Sequence, residues 1–396
     1  MIRSTDRIKT THAGTLPKAR DLARMVASKA VHQTAWRPQE PIEVDEATFA
    51  RRLQEEVAET VRRQAAIGID SVNDGELGKI TFQHYCFERI SGFEDRDWKP
   101  GMPVPLSIAM RDARKFGDYF AEGHGGFASA GPPKSVSLCT GPLSYIGHAE
   151  LQRDIDNFKG ALKDVTVEDA FLPANTPGTL EHALRNVHYK TNEDYLEAIA
   201  NVLRVEYKAI TDAGLTLQLD DPDLPDGWAI FPEMTVADYR RYAGLRIEAL
   251  KHALQGIPRE QVRLHVCWGS FHGPHQEDIP LKEIADLIFS VPAQSYSIEA
   301  SNPAHEHEWQ VFEHIKPPQG TVLIPGVIGH ATDFIEHPEL VAQRLIRYAK
   351  LVGRENVAGG SDCGIGTRVK HPSIAWAKLE ALVEGARLAS RQLWGR

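Results

Sequence analysis

Four times this chain runs a helix-spaced apolar pattern into a glycine and then into a short apolar segment ending on reactive side chains. Phe49, Leu53, Val57 and Val61 line one helical face before Gly68, and Ile69 to Glu76 follows, carrying Asp70, Asn73, Asp74 and Glu76. Thr191 with Asp194 opens a second helix in the manner of a capping box. Leu196, Ile199, Leu203, Tyr207 and Ile210 lead it to Gly214, and Thr216 to Pro222 ends on Asp220 and Asp221. Thr235 with Asp238 starts a third helix that reaches Gly256, ahead of Arg263-Leu264-His265-Val266-Cys267-Trp268-Gly269. Pro338 starts a fourth that stops near Gly353, ahead of VAGGSDCG. Glycine suits the left-handed residue that closes a helix, and Ser, Thr and Asp suit its start. Helix, glycine, strand and polar strand end is the alternation of a parallel sheet.

Nine segments qualify as strand ends: those near Gly14, Glu76, Gly141, Asn175, Asp220, Cys267, Glu299, Gly329 and Cys363. A doubly wound sheet concentrates its site at one switch point, whereas a (β/α)₈ barrel builds its site from loops at the C-terminal ends of all its strands. Polar residues at nearly every strand end favour the barrel, so an α/β fold of the (β/α)₈ TIM-barrel type is expected over residues 1–396 as one domain. Eight strands close it. Phe171-Leu172-Pro173-Ala174-Asn175 is the segment set aside, because proline suits a central strand poorly. Residues 30–42 are polar and proline-punctuated and read as loop. Residues 77–134 are too long for an ordinary βα loop and hold Phe82, Tyr85, Phe87, Phe93, Trp98, Phe116, Tyr119 and Phe120. They read as an insertion after the second strand, serving as a lid, a specificity wall or a homo-oligomer surface.

Composition excludes several partners. Net charge is −9 over 396 residues, with no long basic run, which argues against nucleic acid and anionic membrane. The N-terminal MIRSTDRIKTTHAG lacks the apolar core of a secretory signal, and no segment has the apolar length to span a bilayer, so a cytoplasmic protein is expected. Four cysteines, Cys86, Cys139, Cys267 and Cys363, are too sparse for a disulfide framework. In a reducing compartment they are free thiols, catalytic groups or metal ligands.

Alternate residues of a strand share a face, so His265 and Cys267 point the same way and make half of a zinc site. Cys363 and Glu299 end two other short apolar runs. Each residue taken singly reads as well as a buried core histidine, a small hydrophobic cysteine or a loop acid. Three strand ends together favour a metal. Glu76, Asp220 and Asp221 would meet at the mouth of a barrel, where paired carboxylates bind an ammonium group or a metal or exchange protons. His305 and His307, in Asn302-Pro303-Ala304-His305-Glu306-His307, read as a solvated loop or helix start, and His272 and His275 read the same way, with a role beside the metal ligands or the substrate as their alternative because they lie near Cys267.

The set TTHAGTLP at 10–17, NDGELGK at 73–79, CTGPLS at 139–144, QLDDPDL at 218–224, HVCWG at 265–269, SIEASN at 297–302, IPGVIG at 324–329 and SDCGIGTR at 361–368 resembles the catalytic barrel of cobalamin-independent methionine synthase. The resemblance implies a zinc ion held by His265, Cys267, Glu299 and Cys363. It also implies that Gly14, Thr15, Glu76 and Asp220 bind the amino-acid end of a thiol such as homocysteine. The partners implied are a small thiol and an alkyl donor, 5-methyltetrahydrofolate in that family. Asp221 stands where the family has glutamate, and His330 lies one place out of register with the family's catalytic histidine. His330, Asp226 or an ordered water is the candidate for protonating the leaving group. Short relatives include epoxyalkane:coenzyme M transferases, which make epoxide opening by the same thiolate the alternative reaction. A metallohydrolase or a non-catalytic zinc protein is the alternative of another class, disfavoured because two cysteines suit sulfur chemistry better than water activation.

Overall fold

The computed structural model describes residues 2–30, 40–103, 108–124, 135–269, 271–366 and 368–395. Residues 31–39 of the expected loop and 104–107 and 125–134 of the expected insertion lie outside the described residues. The strands in chain order are β1 (Lys9–Thr10), β2 (Ser71–Val72), β3 (Ile90–Asp97), β4 (Ser135–Tyr145), β5 (Asp169–Asn175), β6 (Arg185–Asn186), β7 (Thr216–Asp220), β8 (Val262–Val266), β9 (Ser295–Ile298), β10 (Val322–Ile328) and β11 (Ala358–Ser361). Eight form one sheet in the order β1-β11-β10-β9-β8-β7-β5-β2, and each of its pairings is parallel. Asp70 N–H donates to the Thr10 carbonyl at 3.1 Å, which brings the β2 edge back to β1 and rounds the sheet into a barrel.

Local chemistry sets the helices that alternate with these strands. Asp45 accepts from Thr48 N–H at the start of Glu46–Ile67, and Thr191 accepts from Asp194 N–H at the start of Asn192–Asp212. Thr235 and Asp238 form a reciprocal capping box ahead of Val236–Ala253, and Pro338 occupies the first turn of Pro338–Val352. The apolar faces read from sequence, including Phe49, Leu53, Val57 and Val61, are buried against the barrel.

One strand assignment is corrected. Ser135–Tyr145, counted above as a barrel strand near Gly141, pairs antiparallel with β3 and parallel with β6 in a separate three-stranded sheet. The segment set aside, Asp169–Asn175, is the barrel strand between β2 and β7. Its proline is tolerated because β2 pairs only as far as Ala170, leaving no ladder partner beside Pro173 on that edge. There the Pro173 carbonyl instead accepts from Lys79 Nζ at 2.6 Å.

Inside the barrel, Arg263 is fully buried beneath the C-terminal mouth. Its guanidinium donates to Thr11 Oγ1, Gln218 Oε1 and Ser71 Oγ at 3.1, 3.2 and 2.8 Å and lies 4.1 Å from the Phe171 ring centroid. A buried cation needs such partners, and here they tie four strands together while fixing Gln218, whose amide supports Asp220 at 2.8 Å.

Between β2 and β5 lies the β3–β4 ribbon, and between its two strands lie the short helices Met110–Lys115 and Gly117–Ala121. These helices dock on the loops that follow β7 and β8. Arg111 lies 3.2 Å from the Trp228 ring centroid and donates to the carbonyls of Trp228, Phe231 and Met234. Asp112 accepts from Glu277 N–H at 3.1 Å, and Ala109, Phe120 and Phe271 form a small apolar core of their own.

Candidate active site

The candidate metal ligands and His330 lie at or just past the C-terminal ends of barrel strands, where side chains from different strands converge. His265 is in β8 and Cys267 follows it; Glu299 follows β9, His330 follows β10, and Cys363 follows β11. A ring nitrogen of His265 and the sulfurs of Cys267 and Cys363 lie within 4.8 Å of one another. Ser297 Oγ meets His265 Nδ1 at 3.1 Å, while the buried Nε2 has no hydrogen-bond partner. An orphaned imidazole nitrogen is costly unless something takes its lone pair. Beside two buried sulfurs, the donor set suits a zinc ion. Cys267 and His265 hold the Cys363 thiol well below its usual range, while Cys267, sharing the proton and buried, is raised.

Glu299 stands apart from these three donors. It falls instead in a second buried group with His330 and Asp362. Both its oxygens are engaged, Oε2 by Trp268 N–H at 2.8 Å and Oε1 by Asn302 Nδ2 at 2.9 Å. Asp362, which the sequence reading passed over, accepts from Ala300 N–H, Ser301 N–H and Ser301 Oγ at 2.7, 2.9 and 2.5 Å and so locks the turn after Glu299. His330 is buried and neither ring nitrogen has a hydrogen-bond partner. Its loop is held by Glu336, which accepts from Gly329 N–H at 2.7 Å and pairs with the buried Lys378 at 2.8 Å.

The residues expected at the thiol's far end also meet. Glu76 Oε1 accepts from Thr15 Oγ1 at 2.7 Å, and Glu76 Oε2 is buried without a hydrogen bond, 3.5 Å from Lys79 Nζ. Glu76 has φ 57°, a strained value for a side-chain-bearing residue, of the kind retained where geometry matters to function. A Cβ on Gly14, at φ +127°, would lie 2.7 Å from Glu76 Oε1, so only glycine fits. Asp220 is adjacent to His265 in the β7–β8 register. Burial raises its carboxyl to about 7, with the Glu76 charge adding to the effect and His265 opposing it. Asp221 is raised to about 8 by burial and by Asp223, and its side chain caps Leu224 N–H at 3.2 Å.

Asp226 lies one helical turn beyond Asp223 in the helix Asp223–Ile230. Burial raises its carboxyl well above the usual range, and the charges of Asp278, Asp223, Glu299 and Cys363 push the same way. Both effects favour the protonated form of this carboxyl at the edge of the donor cluster. Gly269, at φ +76°, makes room for it: a Cβ there would lie 3.0 Å from Asp226 Oδ1 and 3.1 Å from Ile108 Cδ1 of the insertion.

Two histidines expected in solvated loops are buried. His305 stacks on Trp268 at 4.1 Å between centroids and binds Asp278 and Glu308 at 3.0 and 2.8 Å. His275 shares Asp278 at 2.8 Å. Their charged surroundings in sequence are their partners in space, which is why local polarity misread them. His307 is exposed as expected.

The family model described as "Cobalamin-independent synthase, Catalytic domain" matches residues 182–388. The chain is 22% identical over 390 residues to a methionine synthase of Thermococcus kodakarensis, covering 98% of this chain and 94% of that protein. It is 23% identical over 388 residues to 2-hydroxypropyl-CoM lyase of Xanthobacter autotrophicus, covering 89% of each. The solved B12-independent methionine synthase from Shewanella sp. W3-18-1, in complex with selenomethionine, superposes with a TM-score of 0.71 at 21% identity, covering 98% of this chain and 100% of that one. That structural likeness concerns the fold. No helix of the described residues is long and apolar enough to cross a membrane.

Proposed function

Because the chain belongs to the family of the cobalamin-independent synthase catalytic domain, we propose that it is a zinc-dependent transferase that moves a methyl group onto the sulfur of a small thiol. The observation that carries this reading is the convergence of His265, Cys267 and Cys363 around the unpartnered Nε2. Zinc in such a donor set favours substrate sulfur in its thiolate form at neutral pH, which is the nucleophile an alkyl transfer needs. Glu299 would be the fourth ligand, its carboxylate exchanging between the metal and the donors Trp268 N–H and Asn302 Nδ2 that hold it here.

The chain's own residues supply the rest. Gly14 leaves space beside Glu76, and Thr15, Glu76 and Asp220 bind the amino-acid end of the thiol, the two carboxylates meeting its ammonium group. Asp226, kept neutral by burial and by surrounding negative charge, holds the proton that the leaving group takes. His330 is the second proton carrier, its ring nitrogens open toward Glu299 and Asp362. The helices Met110–Lys115 and Gly117–Ala121 act as a wall that excludes water on the side of Asp226. The donor is 5-methyltetrahydrofolate or a related methyl carrier, and the protein works in the cytoplasm.

Opening of an epoxide by the same thiolate is the second reading. The likeness to 2-hydroxypropyl-CoM lyase along 89% of the chain favours it. The test is a cross of two thiols, L-homocysteine and 2-mercaptoethanesulfonate, against 5-methyltetrahydrofolate and epoxypropane with zinc-loaded protein. Methylated homocysteine from the folate supports the first reading, and a hydroxyalkyl thioether from the epoxide supports the second. Retention of zinc with no product in any combination contradicts both.

A further inference from the structure

Glu299 is the one member of the proposed ligand set whose carboxylate is already spoken for by protein donors. Trp268 N–H reaches Oε2 at 2.8 Å and Asn302 Nδ2 reaches Oε1 at 2.9 Å, so each oxygen accepts one bond in the manner of a cradle. Neither donor is free to drift. The Trp268 ring is buried, donates from Nε1 to the Ile279 carbonyl at 2.8 Å and stacks on His305. Asn302 is pinned by its own turn: Oδ1 accepts from Ala304 N–H at 3.0 Å, and its carbonyl accepts from His305 N–H and Glu306 N–H at 2.8 Å. His305 thus joins the two halves, stacking on one donor and folding back on the other. Hydrogen bonds to a carboxylate are stronger than those between neutral groups, and they compete with anything else that would take the same lone pairs.

Resting on the function proposed above, we infer that Trp268 N–H and the Asn302 amide form a berth for the Glu299 carboxylate, and that Asn302 is a positioning residue controlling how readily a thiol sulfur enters the metal centre. A zinc held by all four residues would take in a substrate sulfur and stay tetrahedral only if one ligand yields. The carboxylate, hardest of the set beside two thiolates, is the ligand to yield. The berth offsets the cost of that departure by giving the carboxylate two directed donors instead of a buried, unpaired charge. Because the berth acts on Glu299 and not on the substrate, it affects every thiol by the same factor, whatever the thiol carries at its other end.

The discriminating variant is Asn302→Asp in zinc-loaded protein. It preserves the Oδ1 acceptor that fixes Ala304 N–H, while turning the donor toward Glu299 into a repelling oxygen. Calorimetry with L-homocysteine and with 2-mercaptoethanesulfonate reads the thiol affinity, and metal analysis reads the zinc. The berth predicts that zinc stays at the wild-type level while both thiols lose at least about tenfold in affinity, by the same factor within about twofold. Asn302→Ala, which removes the donor without adding charge, gives a smaller loss in the same direction and serves if the aspartate variant does not fold. Unchanged affinity in both variants overturns the berth and leaves the proposed function standing. A loss confined to one thiol also overturns it, since Asn302 would then be touching substrate. Wild-type protein that takes up no zinc overturns the berth and the proposed function together.

Discussion

The sulfurs of Cys267 and Cys363 lie within 4.8 Å of each other although β8 and β11, the strands that deliver them, are separated in the barrel by β9 and β10. Side chains from non-adjacent strands meet only across the interior or the mouth of a closed sheet, so this pairing depends on closure of the barrel and on both cysteines lying just past their strand ends. His265 joins them from β8, and the same convergence brings Asp220 beside His265 from β7. The strand end thus assembles both ends of the proposed thiol site from local positions on a common scaffold.

The pH dependence of amino-thiol binding follows from Asp220. Its carboxyl is raised to about 7, chiefly by burial, and only its charged form pairs with an ammonium group. Affinity for L-homocysteine relative to 2-mercaptoethanesulfonate should therefore rise as pH increases through about 7 and level off above it; taking the ratio cancels the ionisation of the thiol. Asp220→Asn should lower that ratio about tenfold and flatten its pH profile, with zinc retained. Equal losses for the two thiols would assign Asp220 to the scaffold.

Asp226 separates chemistry from binding. Its neutral form is favoured by burial and by four nearby negative charges, so Asp226→Asn removes a proton donor without leaving a charge uncompensated. Single-turnover methyl transfer should fall by about 10² to 10⁴, with thiol affinity unchanged within about twofold. Weakened thiol binding with an unaltered transfer step would place Asp226 on the thiol side of the site.

His305 makes a stability prediction with a definite sign. Burial alone would lower its pKa, but hydrogen bonds and charges from Asp278 and Glu308 raise it to about 10 from an ordinary 6.5. A folded value above the unfolded one means that this contribution is complete below about 6.5 and is lost as pH rises through about 10. His305→Ala removes the cation that two buried carboxylates share, leaving Asp278 to His275 and Glu308 to Leu281 N–H, and should cost about 3 kcal/mol at pH 6, with the difference from wild type narrowing toward pH 10. Denaturant unfolding at the two pH values measures it. A penalty that does not vary with pH would mean that stacking on Trp268, and not charge, is what His305 contributes.

The barrel and the cysteine–histidine centre were legible because both rest on local patterns. Helix faces ending in glycine gave four of the eight barrel strands, β2, β7, β8 and β11, and period-two alternation put His265 and Cys267 on one side. Pro173 misled because a proline's cost depends on which edge of the strand has a neighbour, and that depends on where β2 stops. His330 looked out of register in sequence, yet the β10–β11 pairing shifts register between Gly326 and Ile328, just upstream, and the residue lands beside Glu299 and Asp362. A bulge leaves no signature in composition or periodicity. The engagement of Glu299 by Trp268 N–H and the burial of His305 against Trp268 and Asp278 are contacts between the loops that follow β8 and β9, and sequence spacing carries no information about them.

The central claim is that a thiol is activated by joining the His265, Cys267 and Cys363 centre, and X-ray absorption at the zinc edge tests it most directly. Protein loaded with about one zinc per chain is measured with and without L-homocysteine. The account predicts two sulfur neighbours at rest, supplied by Cys267 and Cys363, and three with the thiol bound, one oxygen neighbour being lost as Glu299 yields. A zinc shell unchanged by every thiol that supports turnover would contradict it.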